Sequence, residues 1–89
     1  MTYLIQVTED DIREGEADNC FECPVSIALE REIGTCCTAT QRKIQVWNGK
    51  GFDSIQTPIT ARDFIANFDE ARPDHRREPE PFSFEIELP

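Results

Sequence analysis

Residues 82–88 alternate without a break: Phe82, Phe84, Ile86 and Leu88 are apolar, and Ser83, Glu85 and Glu87 between them are polar. Side chains on a β-strand point to opposite faces in turn, so this spacing specifies a strand with one buried and one wet face. A helix is excluded, because its 3.6-residue period would scatter the two phenylalanines around the axis. One strand cannot cover its own apolar face. The rest of the chain must therefore supply neighbouring strands and a second layer.

Three further segments read as strands. Tyr3, Ile5 and Val7 alternate with Leu4 and Gln6. Lys43-Ile44-Gln45-Val46-Trp47 alternates as well, and Asn48-Gly49-Lys50-Gly51 after it has the composition of a hairpin turn. Phe52 to Gln56 then returns antiparallel. A four-residue turn sets Trp47 opposite Phe52 and Ile44 opposite Ile55, matching aromatic with aromatic and aliphatic with aliphatic. In this register the two aromatics face away from Ile44, Val46 and Ile55.

Two segments read as helices. Cys23-Pro24 opens the first, since a proline at the first helical position loses no hydrogen bond. Val25, Ala28, Leu29 and Ile33 form one apolar stripe, Arg31 lies near the C-terminal end, and Gly34 suits the residue just past it. The second is expected to be capped by Thr60, with Ile59 stapled onto Phe64 or Ile65, and to end near Ala71 before Pro73. Thr8 can cap one short turn through Ile12-Arg13-Glu14, stopped by Gly15. Residues 35–41 read as a polar connection, and the proline- and charge-rich residues 72–81 as a linker or loop.

These elements give the expected fold class: α+β, a single domain over residues 1–89. The order is β-α-β-β-α-β, a two-layer sandwich with helices on one face of an antiparallel sheet, which matches the ferredoxin-like arrangement. A chain of 89 residues buries roughly 60–65% of its unfolded surface. That leaves no second lobe to shape a deep cofactor cleft.

Charge narrows the function. Eighteen acidic against nine basic residues give a net charge of −9. Phosphate backbones are bound by Lys and Arg, so direct nucleic-acid binding is disfavoured. A basic protein, or a basic groove that normally holds nucleic acid, is favoured. The candidate docking residues are Glu9, Asp10, Asp11, Glu14, Glu16 and Asp18, with Trp47 and Phe52 as aromatic anchors. Solvation alone is the competing explanation for the acids, and burial of Trp47 against residues 72–81 for the aromatic. No apolar window is long enough for a membrane span, and Met1-Thr2-Tyr3-Leu4-Ile5 lacks the features of a secretory signal. The expectation is an intracellular protein with reduced thiols.

The cysteines allow two further readings. Cys20, Cys23, Cys36 and Cys37 supply four soft ligands, enough for a structural zinc, although adjacent cysteines rarely turn both sulfurs to one ion. Cys20 and Cys23 could instead form a dithiol beside a helix N-terminus. The plain alternative is small buried side chains lining the helix start. Nucleophilic and phosphate chemistry lack their parts, with one histidine, His75, and no glycine-rich loop entering a helix. No cofactor and no catalytic residue are expected.

The run Val7-Thr-Glu-Asp-Asp-Ile12 with Gly15, then Cys20-x-x-Cys23-Pro-Val-Ser-Ile-Ala-Leu29, resembles a family of small uncharacterised proteins encoded by bacteriophages and prophages. The segments Phe64-Ile-Ala-Asn-Phe-Asp69 and Pro81-Phe-Ser-Phe-Glu-Ile-Glu-Leu88 extend the resemblance, whereas residues 35–58 are not distinctive. It carries no catalytic residues. It implies a phage-type accessory protein in a bacterial cytoplasm, of the kind that binds and modulates a host enzyme.

Overall fold

The computed structural model describes residues 1–16, 19, 21–70 and 80–88, with the side chains of 69 and 70 excluded. The expectations for His75, Ala71 and most of residues 72–81 lie outside the described residues. Among the described residues the chain is α+β, with three helices and two antiparallel sheets. In order, the elements are β1 (Thr2–Val7), α1 (Glu9–Glu14), α2 (Pro24–Ile33), β2 (Cys37–Ala39), β3 (Lys43–Trp47), β4 (Phe52–Gln56), α3 (Ile59–Glu70) and β5 (Phe82–Glu87).

The six expected elements are all present, and two more join them. Residues Glu9–Glu14 form a complete short helix rather than one turn, and Cys37–Ala39 form a strand where a polar connection was expected. The strands divide into a β1-β5 pair and a β2-β3-β4 sheet. The single ferredoxin-like sheet is therefore replaced by two. Smaller expectations also give way at α3. This helix starts at Ile59, with the Pro58 carbonyl accepting from Arg62 N–H at 2.8 Å, so Thr60 lies inside its first turn rather than capping it. Ile59 is 67% exposed and staples to nothing.

The hairpin forms in the expected register, Trp47 opposite Phe52 and Ile44 opposite Ile55. Asn48 holds its turn: the side-chain oxygen accepts from Lys50 N–H and Gly51 N–H, both at 2.9 Å, and Gly49 takes a left-handed φ of 94°. In the other sheet, Thr2–Val7 and Phe82–Glu87 pair along their full length. Their inward residues Ile5, Val7, Phe84 and Ile86 are buried.

Helix α2 explains why the sheets stay apart. Cys23 is its N-cap, Pro24 its first residue, and Gly34 closes it in the left-handed region at φ 87°. The helix packs on both β1 and β2. Its consecutive residues Glu30 and Arg31 meet the free edge of each. Met1 and Leu88 exchange backbone bonds (2.7 and 2.8 Å), so by antiparallel alternation Thr2, Leu4 and Gln6 turn their backbone groups away from β5. Arg31 Nη2 donates to the outward Gln6 carbonyl at 2.6 Å. Likewise Trp47 N–H donates to Cys36 O at 2.9 Å, which leaves Cys37 and Ala39 facing outward from β2. The Glu30 carboxylate accepts from Cys37 N–H at 3.2 Å. One backbone group on each of these two edges is thus taken by a side chain of α2.

One core nevertheless joins the layers. Val25, Ala28 and Leu29 of α2 belong to the same buried cluster as Ile5 and Val7, Ile44 and Val46, and Ala61 and Ile65 of α3. A column of rings, Phe68, Phe64, Phe82 and Phe84, fixes α3 to β5 with centroid spacings of 6.0, 4.7 and 5.7 Å. Such pairs add about 0.5–1.5 kcal/mol each beyond area burial.

Candidate partner-binding surface

The acidic stretch begins at Thr8, whose hydroxyl accepts from Asp11 N–H at 3.2 Å while the Asp11 carboxylate accepts from Thr8 N–H at 2.9 Å. This reciprocal box starts α1. It also fixes the Asp11 side chain inward, where only 3% of it is exposed. Arg31 closes on it from α2, with Nη1 and Nη2 reaching the two carboxylate oxygens at 2.5 and 2.9 Å. Burial by itself would push the Asp11 carboxyl up. The bonds from Arg31 and Thr8, with the Arg31 charge, outweigh it and hold the group below the ordinary 3.8. Burial pulls the other way on Arg31 too, but the Asp11 bond leads and raises it. Asp11 is therefore withdrawn from the docking residues: it clamps α1 to α2.

The other acids of the stretch stay at the surface. Glu9, Asp10, Glu14 and Glu16 are exposed, Asp10 with Arg13 beside it and Glu16 with Asn19 at 3.4 Å. Asp18 lies outside the described residues. Glu9 and Asp10 line an open groove of about 550 Å³ together with Gln6, Val7, Thr8, Pro81, Phe82 and Ser83. Carboxylates and apolar carbons lining one groove suit the head and the stem of a Lys or Arg side chain. The cue that could have separated Asp11 from its neighbours is the Thr8-x-x-Asp11 spacing, a capping-box pattern. No local signal announced the groove, because its walls come from opposite ends of the chain.

The aromatic pair stands on the open face of the three-stranded sheet. Trp47 and Phe52 are 41% and 45% exposed and meet edge-to-face at a centroid distance of 5.3 Å. Trp47 is therefore partly exposed, and residues 71–79, which include most of the segment weighed as its cover, lie outside the described residues. Strand alternation carries Cys36 onto the same face beside Trp47, and Thr38, Gln45 and Ser54 form the next row. None of these side chains is acidic, so this patch is neutral and aromatic on a chain of net charge −9.

The three described cysteines lie in different settings. Cys20 lies outside the described residues. Cys23 is buried, its sulfur accepting from Ser26 N–H at 3.4 Å and lying 3.9 Å from the Ala39 carbonyl. Cys37 is buried and its thiol donates to Thr35 O at 3.4 Å, whereas Cys36 is exposed. Burial, followed by the charges of Glu30 and Cys36, pushes the Cys37 thiol up to about 12. Adjacent strand residues face opposite ways, so Cys36 and Cys37 are not both presented to one ion. Among the described residues no three metal-ligating side chains converge. No described helix is long and apolar enough to cross a membrane.

Comparisons with family models, with curated proteins and with solved structures return no match.

Proposed function

We propose that this chain is a non-enzymatic protein-binding module that docks on a basic surface of its partner. The carrying observation is the division of labour within α1. Asp11 holds the fold, while Glu9 and Asp10 remain exposed and line the groove together with Phe82. Among the described residues the Glu9 side chain makes no hydrogen bond or ion pair. Its charge, with those of Glu14 and Glu16, is available to steer a cationic partner. Trp47 and Phe52 supply an aromatic anchor of the kind that carries binding energy once desolvated. The same charge opposes direct contact with nucleic acid and favours a protein whose own basic groove would hold it.

The resemblance to small phage and prophage proteins supplies the proposed setting: an accessory protein that inhibits or modulates a host defence or nucleic-acid-acting enzyme in the bacterial cytoplasm. The test is quantitative affinity enrichment from nuclease-treated bacterial lysate, comparing the wild-type chain with Glu9→Lys/Asp10→Lys and with Trp47→Ala. A specific, basic partner should be retained by the wild type, fall away in the charge-reversed chain, and weaken as salt rises. A retained set that is identical for all three proteins refutes the reading.

A further inference from the structure

We infer that Asn48 is a self-modification site that the β3–β4 turn holds shut: when the turn opens, the Gly49 nitrogen closes a ring on the Asn48 side chain and converts it to aspartate or isoaspartate. Of the asparagines in the chain, Asn48 alone precedes a glycine; Asn19 and Asn67 precede Cys20 and Phe68. Glycine carries no Cβ to crowd its own nitrogen as it approaches the neighbouring carboxamide. The attacking and attacked groups are already in one chain, so the step needs only the right torsions. Asn48 is exposed, so water reaches it.

The chemistry needs no partner but water. The Gly49 nitrogen gives its proton to a solvent base and bonds to Asn48 Cγ. The Cγ–Nδ2 bond then breaks, and Nδ2 leaves as ammonia with a proton taken from water. Water next adds to one of the two carbonyls of the five-membered imide and breaks the bond from that carbon to nitrogen. Opening at the side-chain carbonyl restores the peptide bond and leaves aspartate. Opening at the backbone carbonyl leaves isoaspartate, with the chain running through Cβ. In sum, an amide and water become a carboxylate and ammonium.

The folded turn opposes each part of this. Asn48 Oδ1 accepts from Lys50 N–H and Gly51 N–H, both at 2.9 Å, and Nδ2 donates to the Asp53 carboxylate at 3.1 Å. Asn48 N–H donates to Gly51 O at 2.9 Å and fixes the backbone as well. The imide ring sets Cβ and the Gly49 nitrogen nearly eclipsed about the Cα–C bond, a ψ outside both the strand and the helix regions. Reaching it turns Asn48 out of the hairpin and away from those donors and acceptors. Asp53 lies on β4, so parting the two strands releases the carboxamide. The product cannot be latched again: a new carboxylate meets Asp53 where an amide N–H stood, and isoaspartate adds a backbone atom next to the Trp47–Phe52 rung. Opening of the turn is thus recorded covalently beside the aromatic pair, whatever the partner is.

Peptide mapping by mass spectrometry, with isoaspartate separated by chromatography, tests this on samples held near pH 8. Several hydrogen bonds must break at once, which keeps the open turn below about one part in ten, so the native chain should convert at least about tenfold more slowly than the chain in urea. Asp53→Ala removes one of the bonds and should convert about threefold faster than the wild type under native conditions. Asn19 and Asn67 are internal controls and should lag behind Asn48 in urea. Equal rates for the native and the unfolded chain overturn the latch, and this comparison decides alone if Asp53→Ala does not fold. A folded Asp53→Ala chain that converts at the wild-type rate overturns the latch as well. No conversion of Asn48 in urea, or conversion no faster than at Asn19 and Asn67, overturns the site itself.

Discussion

Replacing Asp11 by Asn keeps the side-chain shape and still accepts from Thr8 N–H, but removes the charge that faces Arg31. Breaking a fully buried ion pair costs about 3–5 kcal/mol. The Arg31 side chain is 42% exposed and water can recover part of its hydration, so about 2 kcal/mol is expected for the loss. Asp11→Ala also strands the Thr8 N–H and should cost about 1 kcal/mol more. For a domain of this length about 2 kcal/mol lowers the melting temperature by roughly 8–16 °C, which far-UV circular dichroism resolves easily. Glu9→Gln is the control, since it makes the same change in net charge from −9 to −8 at an exposed site and should leave the melt unmoved. The sign with pH follows from the lowered folded-state value. The stabilisation is complete above the ordinary 3.8 and is lost as pH falls through that value toward the lower folded one. Wild type and Asp11→Asn should therefore differ by a constant amount from about pH 7 to about pH 5 and converge below about pH 4. A difference under about 0.5 kcal/mol at neutral pH, or one that persists in acid, refutes the clamp.

Gly15→Ala should be destabilising by about 1–3 kcal/mol in urea unfolding, because a Cβ there would lie 2.5 Å from Pro24 Cδ; a neutral result means α1 and α2 can separate freely. Trp47→Ala and Phe52→Ala should each cost no more than about 1 kcal/mol, against about 2–5 kcal/mol for Ile44→Ala on the buried face of the same strand pair. Equal losses on the two faces would contradict an open aromatic patch. Alkylation mapped by mass spectrometry near pH 8 should modify Cys36 without denaturant and Cys37 only after unfolding, since the Cys37 thiol is buried and pushed up to about 12. Comparable rates at the two positions would exclude that burial.

Much of the fold is written locally. The alternation at Phe82–Leu88, the stripe Val25, Ala28, Leu29 with its Pro24 and Gly34 boundaries, and the cross-strand match of Trp47 with Phe52 each depend on neighbours within a few residues, and each forms as its spacing requires. Cys37–Ala39 could not be read this way. A three-residue segment has no period, and it becomes a strand because β3 offers it a ladder and Glu30 caps its outer edge. The split into two sheets is equally non-local, resting on contacts from Glu30 and Arg31 that span 7, 20 and 25 residues along the chain. At the surface, alternation placed Trp47 and Phe52 on the face away from Ile44, Val46 and Ile55 but left open whether residues 72–81 cover Trp47. The fate of Asp11 was legible only in part: the Thr8-x-x-Asp11 spacing marks it as a capping residue, but its burial depends on Arg31, 20 residues away.

That distinction sharpens what the negative charge can mean. An acid retained for the fold must lower stability when neutralised, as Asp11 should. An acid that contributes only repulsion within a chain of −9 should raise stability slightly, or leave it unchanged, when neutralised. Glu9, Glu14 and Glu16 are exposed and hold no part of the core, so Gln at all three should give a fold at least as stable as the wild type. Glu9 in the first turn of α1 gains a little from the helix dipole and Glu14 in the last turn loses a little, so stability gives no net reason for all three to be acidic, which turns the question to binding. If the triple variant melts no lower and loses the salt-sensitive partner, the two kinds of carboxylate on α1 and its flank have been separated by experiment. If it melts lower, those charges support the fold in ways the hydrogen bonds of α1 do not reveal, and the case for steering by charge loses its footing.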